Sequence, residues 1–255
     1  MNPRIYSDDD VEGIFASGQI LAEILERLRS SVNVGVSLLD LDSWAREMTD
    51  KKGATPAFLG YRPDGADRPY PAAICASVNE VVVHGIPTDY RLKGGDVLKI
   101  DFGVIHKGFY SDAAITVGVG EISKTVLRLI QATETALVDV IPYLTPQSTL
   151  GDLGWVIADT ARRYECTVIK GLTGHGIGRR LHEPPSVLNE GVRGRGLRLM
   201  PGMVLAVEPM FSLGSASIIQ LQDESWATVD HSLAAHFEHT IAITSAGPRV
   251  LTKLA

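Results

Sequence analysis

LKIDFGVIHKGFYSDAAIT, residues 98–116, reads as two apolar β-type runs folded around a tight turn. The runs are Val97–Val104 and Phe109–Val119, and His106-Lys107-Gly108 supplies the turn. Each run holds one aspartate, Asp101 and Asp112, eleven positions apart. A turn centred on His106-Lys107 sets the two directly opposite each other across the ladder. One centred on Lys107-Gly108 makes them a diagonal pair; in both registers they share a face, and only a loop with an odd number of residues would send them to opposite faces. Two carboxylates about 4 Å apart repel by roughly 4 kcal/mol at an effective dielectric of about 20. Something positive is wanted between them.

The second half of the chain echoes this arrangement. Gly95-Asp96-Val97-Leu98-Lys99-Ile100-Asp101 matches Gly202-Met203-Val204-Leu205-Ala206-Val207-Glu208. Asp112-Ala113-Ala114-Ile115 likewise parallels Glu238-His239-Thr240-Ile241. The pattern predicts one domain over residues 1–255, with pseudo-repeat halves at about 74–164 and 166–250. Folded about a pseudo-twofold, the halves aim four acids at one point, although no spacing in the sequence brings them together. Four anions so placed protonate unless cations bind. Two divalent ions balance their charge, so the expectation is a dinuclear metal site.

With 255 residues, 45% of them hydrophobic, the chain can bury roughly three quarters of its unfolded surface as one domain. A net charge of −6 and a pI near 5.6 argue against a nucleic-acid surface. Arg193, Arg195 and Arg198 cluster in a Gly-rich stretch that reads as a solvated loop. Cys75 and Cys166 are too few for a disulfide scaffold and suit a reducing cytosol. The start, MNPRIYSDDD, has no apolar signal core, and no apolar run reaches about 18 residues. A cytoplasmic protein without membrane contact is expected.

Helical spacing predicts helices over about Asp8–Ser30, with Ser7 as N-cap, and over Leu38–Lys51, Ser123–Ile141 and Leu150–Tyr164. Strands are expected at about Ile74–Val83, Cys166–Ile169, Val204–Glu208, Ser217–Leu221, Trp226–Val229 and Ala235–Thr244. Residues 53–73, full of Gly, Pro and aromatics, form either a connection or a pocket wall. The fold class is α+β.

Gly174-His175-Gly176-Ile177-Gly178 lacks the Lys-Ser/Thr of a nucleotide cradle. Flanking glycines let the backbone turn tightly while His175 points into a cavity. Beside four paired acids, a metal-ligand reading of His175 outweighs a structural one. His182 follows seven positions on, and His84 ends an apolar strand, where either a catalytic or a capping role is ordinary. His106 and His231 read as bystanders. By strand alternation His236 shares the face of Glu238 and suits a supporting role, while His239 points the other way. Cys75 reads as an apolar wall residue rather than a nucleophile.

Asp101, Asp112, His175, Glu208 and Glu238, in that order, resemble the five metal ligands of the methionine aminopeptidase family. The surrounding words match too: SVNEVVVHGIP (77–87), LKGGDVLKIDFG (92–103), GHGIGRRLHEPP (174–185), MVLAVEPM (203–210) and FEHTIAIT (237–244). The resemblance implies a pita-bread fold, an antiparallel sheet covered by helices, whose pseudo-twofold accounts for the repeat. It implies two divalent ions (cobalt, manganese or iron, with zinc possible) held by those five residues, with Asp112 and Glu238 bridging. It further implies removal of N-terminal methionine before a small second residue, by hydroxide attack from the dinuclear site. Glu208 is then the proton acceptor, His182 holds the carbonyl oxygen, and His84 contacts the scissile nitrogen. Tyr61, Tyr70, Cys75 and Trp226 occupy the places of the methionine pocket. The segment Arg62–Arg68 looks longer than usual, and Leu181 and His236 stand where phenylalanine and glutamine are common.

Partners implied by the family are nascent polypeptide N-termini at the ribosome, met by a monomer. Two other readings stand beside this one. A proline-specific aminopeptidase or dipeptidase of the same fold would carry a substantial extra N-terminal domain. A non-catalytic peptide-binding module would have lost metal ligands, and all five are here. The separation of 33 between His175 and Glu208 leaves little room for the helical insertion of the type II enzymes, so type I fits better.

Overall fold

The computed structural model describes residues 3–62 and 67–254. It opens with α1 (Asp8–Ser31) and α2 (Leu38–Lys51). Both begin at capping boxes, Ser7 with Asp10 and Ser37 with Asp40, where side chain and backbone satisfy each other's free N–H groups. The first strands are β1 (Thr55–Pro56), β2 (Ile74–Val78), β3 (Val81–Val83), β4 (Val97–His106) and β5 (Phe109–Gly118). Then come α3 (Lys124–Val140), a 3-10 turn at Ile141–Tyr143, and α4 (Leu150–Arg163). The rest is strand-rich: β6 (Thr167–Val168), β7 (Gly174–Gly176), β8 (Glu183–Val187), β9 (Val204–Val207) and β10 (Met210–Ser212). It closes with β11 (Ile218–Gln220), β12 (Trp226–Thr228), β13 (Ala234–His236), β14 (Glu238–Thr244) and β15 (Gly247–Val250).

The main sheet runs β1-β4-β5-β14-β9-β7-β8, with β2 joined to β4 and β15 to β14. Its pairings are antiparallel. Two small sheets, β13-β10-β6 and β11-β12-β3, accompany it. One helix pair covers each end of the chain's sheet contribution. Leu21 and Leu28 of α1 and Leu41 of α2 pack with Ile100 and Phe102 of β4. Leu129 of α3 and Leu153 and Ile157 of α4 pack with Leu205, Phe211 and Ile241. Each such side chain is worth about 1.5–3 kcal/mol when fully buried, so the helices clamp the sheet from which the site is built.

The β4–β5 turn centres on Lys107-Gly108, since His106 pairs with Phe109. Lys107 at φ 50 and Gly108 at φ 78 both occupy the left-handed region, as a type I′ hairpin turn requires. Two expected strands are broken. Ile74–Val83 divides at Asn79, whose φ of 55 turns the chain, so that β2 stays on β4 while β3 leaves to pair with β12. Asn79 holds the break with its side chain, donating to Asp96 at 3.0 Å and accepting from the N–H of Val97 at 2.9 Å. Ala235–Thr244 divides at Phe237, with β13 paired to β10 and β14 in the main sheet. Alternation of apolar residues cannot report such a change of partner. Part of the Arg62–Arg68 segment lies outside the described residues.

Candidate metal centre

Five neighbouring strands of the main sheet each deliver one expected ligand. Asp101 lies on β4, Asp112 on β5, Glu238 on β14, Glu208 just past the end of β9, and His175 on β7. Register aligns them: Ala114 is opposite both Asp101 and Glu238, and Ala206 is opposite both His175 and Thr240. Ligand atoms of Asp112, His175 and Glu238 lie within 4.8 Å of one another. His175 Nε2 is 3.7 Å from Glu208 Oε1. Asp101 completes the group: it lines the same cavity as the other four and stands diagonally across the β4–β5 ladder from Asp112. The structure therefore brings together all five residues singled out in the sequence.

Their electrostatics call for cations. Asp101 Oδ1, Asp112 Oδ1 and Glu238 Oε1 are buried and have no hydrogen-bond partner, a costly condition for an acceptor. Burial pushes the pKa of Asp101 and Glu208 up to about 7. It pushes Asp112 and Glu238 well above the carboxylate range, with the charges of Asp101 on Asp112 and of Asp112 on Glu238 adding to it. His175 Nδ1 lies 2.9 Å from the carbonyl of Gly176. A carbonyl can only accept, so Nδ1 carries the proton and Nε2 keeps its lone pair. Four carboxylates and one imidazole, all acceptors converging without a donor, fit divalent metal ions.

Several supporting residues were not visible in the sequence. Thr240 Oγ1 accepts the Asp112 N–H at 2.9 Å and donates to the Asp112 carbonyl at 2.8 Å, bracing β5 on β14. Asn189 Nδ2 donates to the Glu208 carbonyl at 2.9 Å. Strand alternation puts Thr240 on the face of Glu238 but does not name its partner; Asn189 lies in a loop and gave no signal. His236, 1% exposed, has Nε2 at 3.6 Å from Glu208 Oε2, while His239 turns away to Thr252 Oγ1 at 3.0 Å. The glycines around His175 serve a different purpose from the expected tight turn. A Cβ at Gly174 would lie 2.4 Å from the Ala206 carbonyl oxygen, and one at Gly176 would lie 2.3 Å from that of Pro184. They permit close approach of neighbouring backbone.

A cavity of about 1150 Å³ opens over these five residues. Tyr61, Tyr70, Cys75 and Trp226 line it, with His84 and His182, so residues 53–73 include pocket wall. Phe58 and Leu181 share one apolar cluster with Tyr61, Tyr70 and Cys75. Tyr70 donates to carbonyls flanking the site, Gly85 at 2.9 Å and Ile74 at 3.1 Å. Burial, then the charge of Asp101, pushes the Cys75 thiol well up; it stays protonated, as a wall residue rather than a thiolate nucleophile. His182 Nδ1 meets the Tyr61 hydroxyl at 2.7 Å, and its ring stands edge-on to His175 at 4.4 Å. It is open to the cleft on one side; enclosure by protein on the others, with His175 and His84 near, pushes its pKa down. His84 has φ 61, a costly backbone for histidine. His106 and His231 are absent from the lining of this cavity among the described residues.

Comparison with known proteins agrees with this geometry. The model of metallopeptidase family M24 matches residues 12–245. A methionine aminopeptidase of Aquifex aeolicus is 44% identical over 256 residues, covering 98% of this chain and 99% of its own. The crystal structure of methionine aminopeptidase from Rickettsia prowazekii superposes with TM-score 0.94 at 37% identity, over 98% of this chain and 100% of that one. An Xaa-Pro dipeptidase from Bacillus anthracis superposes with TM-score 0.77 at 23% identity, over 98% of this chain and 62% of that one, a likeness of fold alone. A family match over most of its length, joined to a pita-bread sheet whose strands meet in a carboxylate-histidine cluster, leads to one conclusion: the chain belongs to metallopeptidase family M24.

Proposed function

We propose that this chain removes N-terminal methionine from nascent proteins and peptides with a small second residue. The observation that carries this reading is the delivery of Asp101, Asp112, His175, Glu208 and Glu238 by five adjacent strands to one cavity wall. They would hold two divalent ions, manganese, iron or cobalt suiting the donor set and zinc also accepted. Such ions polarise a carbonyl and activate water near neutral pH.

The chain's own residues do the rest. Glu208 accepts the proton of the attacking water, and as the C–N bond breaks that proton passes to the leaving amine with the help of His84. With Tyr61 donating to Nδ1, neutral His182 presents Nε2–H to the substrate carbonyl oxygen as negative charge develops there. His84, whose pKa burial and the neighbouring His236 push down to about 4, stays neutral and contacts the scissile nitrogen. Tyr61, Tyr70, Cys75 and Trp226 enclose the methionine side chain, whose polarizable thioether suits aromatic walls. The protein acts in the cytoplasm as a monomer, on chains emerging from the ribosome. Among the described residues no helix is long and apolar enough to cross a membrane.

Mass spectrometry of peptides differing at positions one and two tests the reading. The protein supplied with manganese, cobalt or iron should release methionine from Met-Ala-Ser and spare a peptide with a bulky second residue. Release of other residues, or cleavage before proline alone, would favour a proline-specific relative.

A further inference from the structure

The loop that carries His182, between β7 and β8, is held from a distant part of the chain. Tyr6, just ahead of α1, is 5% exposed. Its hydroxyl donates to the Glu183 carboxylate, lying 2.8 Å from each oxygen, and accepts the Arg179 N–H at 2.7 Å. Glu183, 9% exposed, also accepts the N–H groups of Arg179 at 3.0 Å and Arg180 at 2.9 Å. One buried carboxylate thus gathers two backbone donors of its own loop and a phenol from 177 positions away. The fit is steric too. A Cβ at Gly178 would lie 2.4 Å from the Tyr6 ring. The Tyr6 backbone N–H is fixed to the Gly202 carbonyl at 2.8 Å, and a Cβ at Gly202 would lie 2.7 Å from the Tyr6 carbonyl oxygen. Arg179 ties the loop again, to Asp10 of α1 at 2.7 Å and over the Phe109 ring at 3.8 Å.

We propose that Tyr6 is a positioning residue: through Glu183 it sets the Gly178–Glu183 loop, and thereby the distance of the His182 imidazole from His175. The inference rests on the reading of His182 as a participant in peptide hydrolysis. Burial, reinforced by the Glu183 hydrogen bond, pushes the Tyr6 pKa upward, so the phenol remains a donor throughout the working pH range. Without it, a buried carboxylate loses a donor and the loop relaxes around two backbone contacts. Reacting groups tolerate little displacement, and about 1 Å costs on the order of a hundredfold in rate.

The test is a kinetic cycle on the metal-loaded full chain, measuring methionine release from Met-Ala-Ser by wild type, Tyr6→Phe, His182→Ala and the double variant. Tyr6→Phe should lower kcat by about tenfold or more, a partial displacement, with KM and bound metal nearly unchanged. In the His182→Ala background the same change should move kcat less than about twofold, because its effect runs through the imidazole. Wild-type kcat in Tyr6→Phe, or the same factor in both backgrounds, would overturn the proposal. Should Tyr6→Phe not fold, Glu183→Ala removes the acceptor of the same contact from the other side and enters the same cycle. If the wild type itself releases no methionine, the functional reading fails first and takes this inference with it.

Discussion

Asp101 stands opposite Ala114 and Asp112 opposite Gly103, so the two aspartates form a diagonal pair on one face of the β4–β5 hairpin. Neither Asp101 Oδ1 nor Asp112 Oδ1 has a hydrogen-bond partner, and both acids are pushed upward in pKa by burial. The pair is therefore built for cations and unfavourable without them. Asp101→Asn should cut bound metal and lower kcat/KM by more than about a hundredfold, as loss of a direct ligand exceeds the 10–100-fold cost of disturbing its supports. The metal-free variant should nevertheless melt above metal-free wild type at pH 8, since one buried anion is gone. Elemental analysis and calorimetry check both halves; a metal-free variant that melts lower would contradict the electrostatic account.

Metal binding should strengthen with pH. Asp101 and Glu208, raised to about 7 by burial, are acids whose stabilising contribution is fully present below the unfolded value of about 4 and lost as pH rises through about 7. His84 and His236, lowered to about 4 chiefly by burial, act in the opposite sense: their contribution is present above 6.5 and lost as pH falls through about 4. Divalent ions bind only the deprotonated acids. The gap in melting temperature between metal-loaded and chelated protein should thus widen from pH 6 to pH 8, with protons released on binding at pH 6. Calorimetry in two buffers of different ionisation enthalpy measures that release, and a gap independent of pH would count against the raised carboxyls.

His182→Ala should lower kcat by about 10²–10⁴, the range for a positioned acid-base or donor group, with metal content retained. The side chain touches Tyr61 and the edge of His175 but is not one of the five residues proposed to hold metal. Normal turnover in this variant would remove His182 from the proposed mechanism.

Gly176→Ala should destabilise the protein by about 1–3 kcal/mol, the usual cost of overpacking. Its Cβ would lie 2.3 Å from the Pro184 carbonyl oxygen, so β7 and β8 must part and His175 with them. Loss of metal affinity should accompany the lower melting temperature. Gly194→Ala is the control: that glycine has φ 71 but nothing within 4 Å of a Cβ, so only a modest strain cost and no change in metal binding should follow.

Much of this was legible along the chain. The β4–β5 hairpin, its echo at Val204–Glu208 and Glu238–Thr244, the helix behind Ser7 and the helical spacing of α2 are local patterns, set by side-chain period and by capping chemistry a few residues apart. The break at Phe237 was hidden because alternation runs on through it while the partner strand changes, whereas the polar pair Asn79-Glu80 interrupts the apolar run where β2 gives way to β3. Thr240 on Asp112 and Tyr6 on Glu183 were hidden because their partners lie 128 and 177 positions away.

The sequence alone put Asp101 and Asp112 on one face of their hairpin for either two-residue turn, since a strand's period of two settles that locally. Only the tertiary structure decided that β5 lies beside β14 and β9 beside β7, and so that the two pairs of acids and His175 meet. The physical reason is range: period and capping act over a few residues, whereas the order of strands in a sheet depends on how α1–α4 bury their apolar faces across the whole fold.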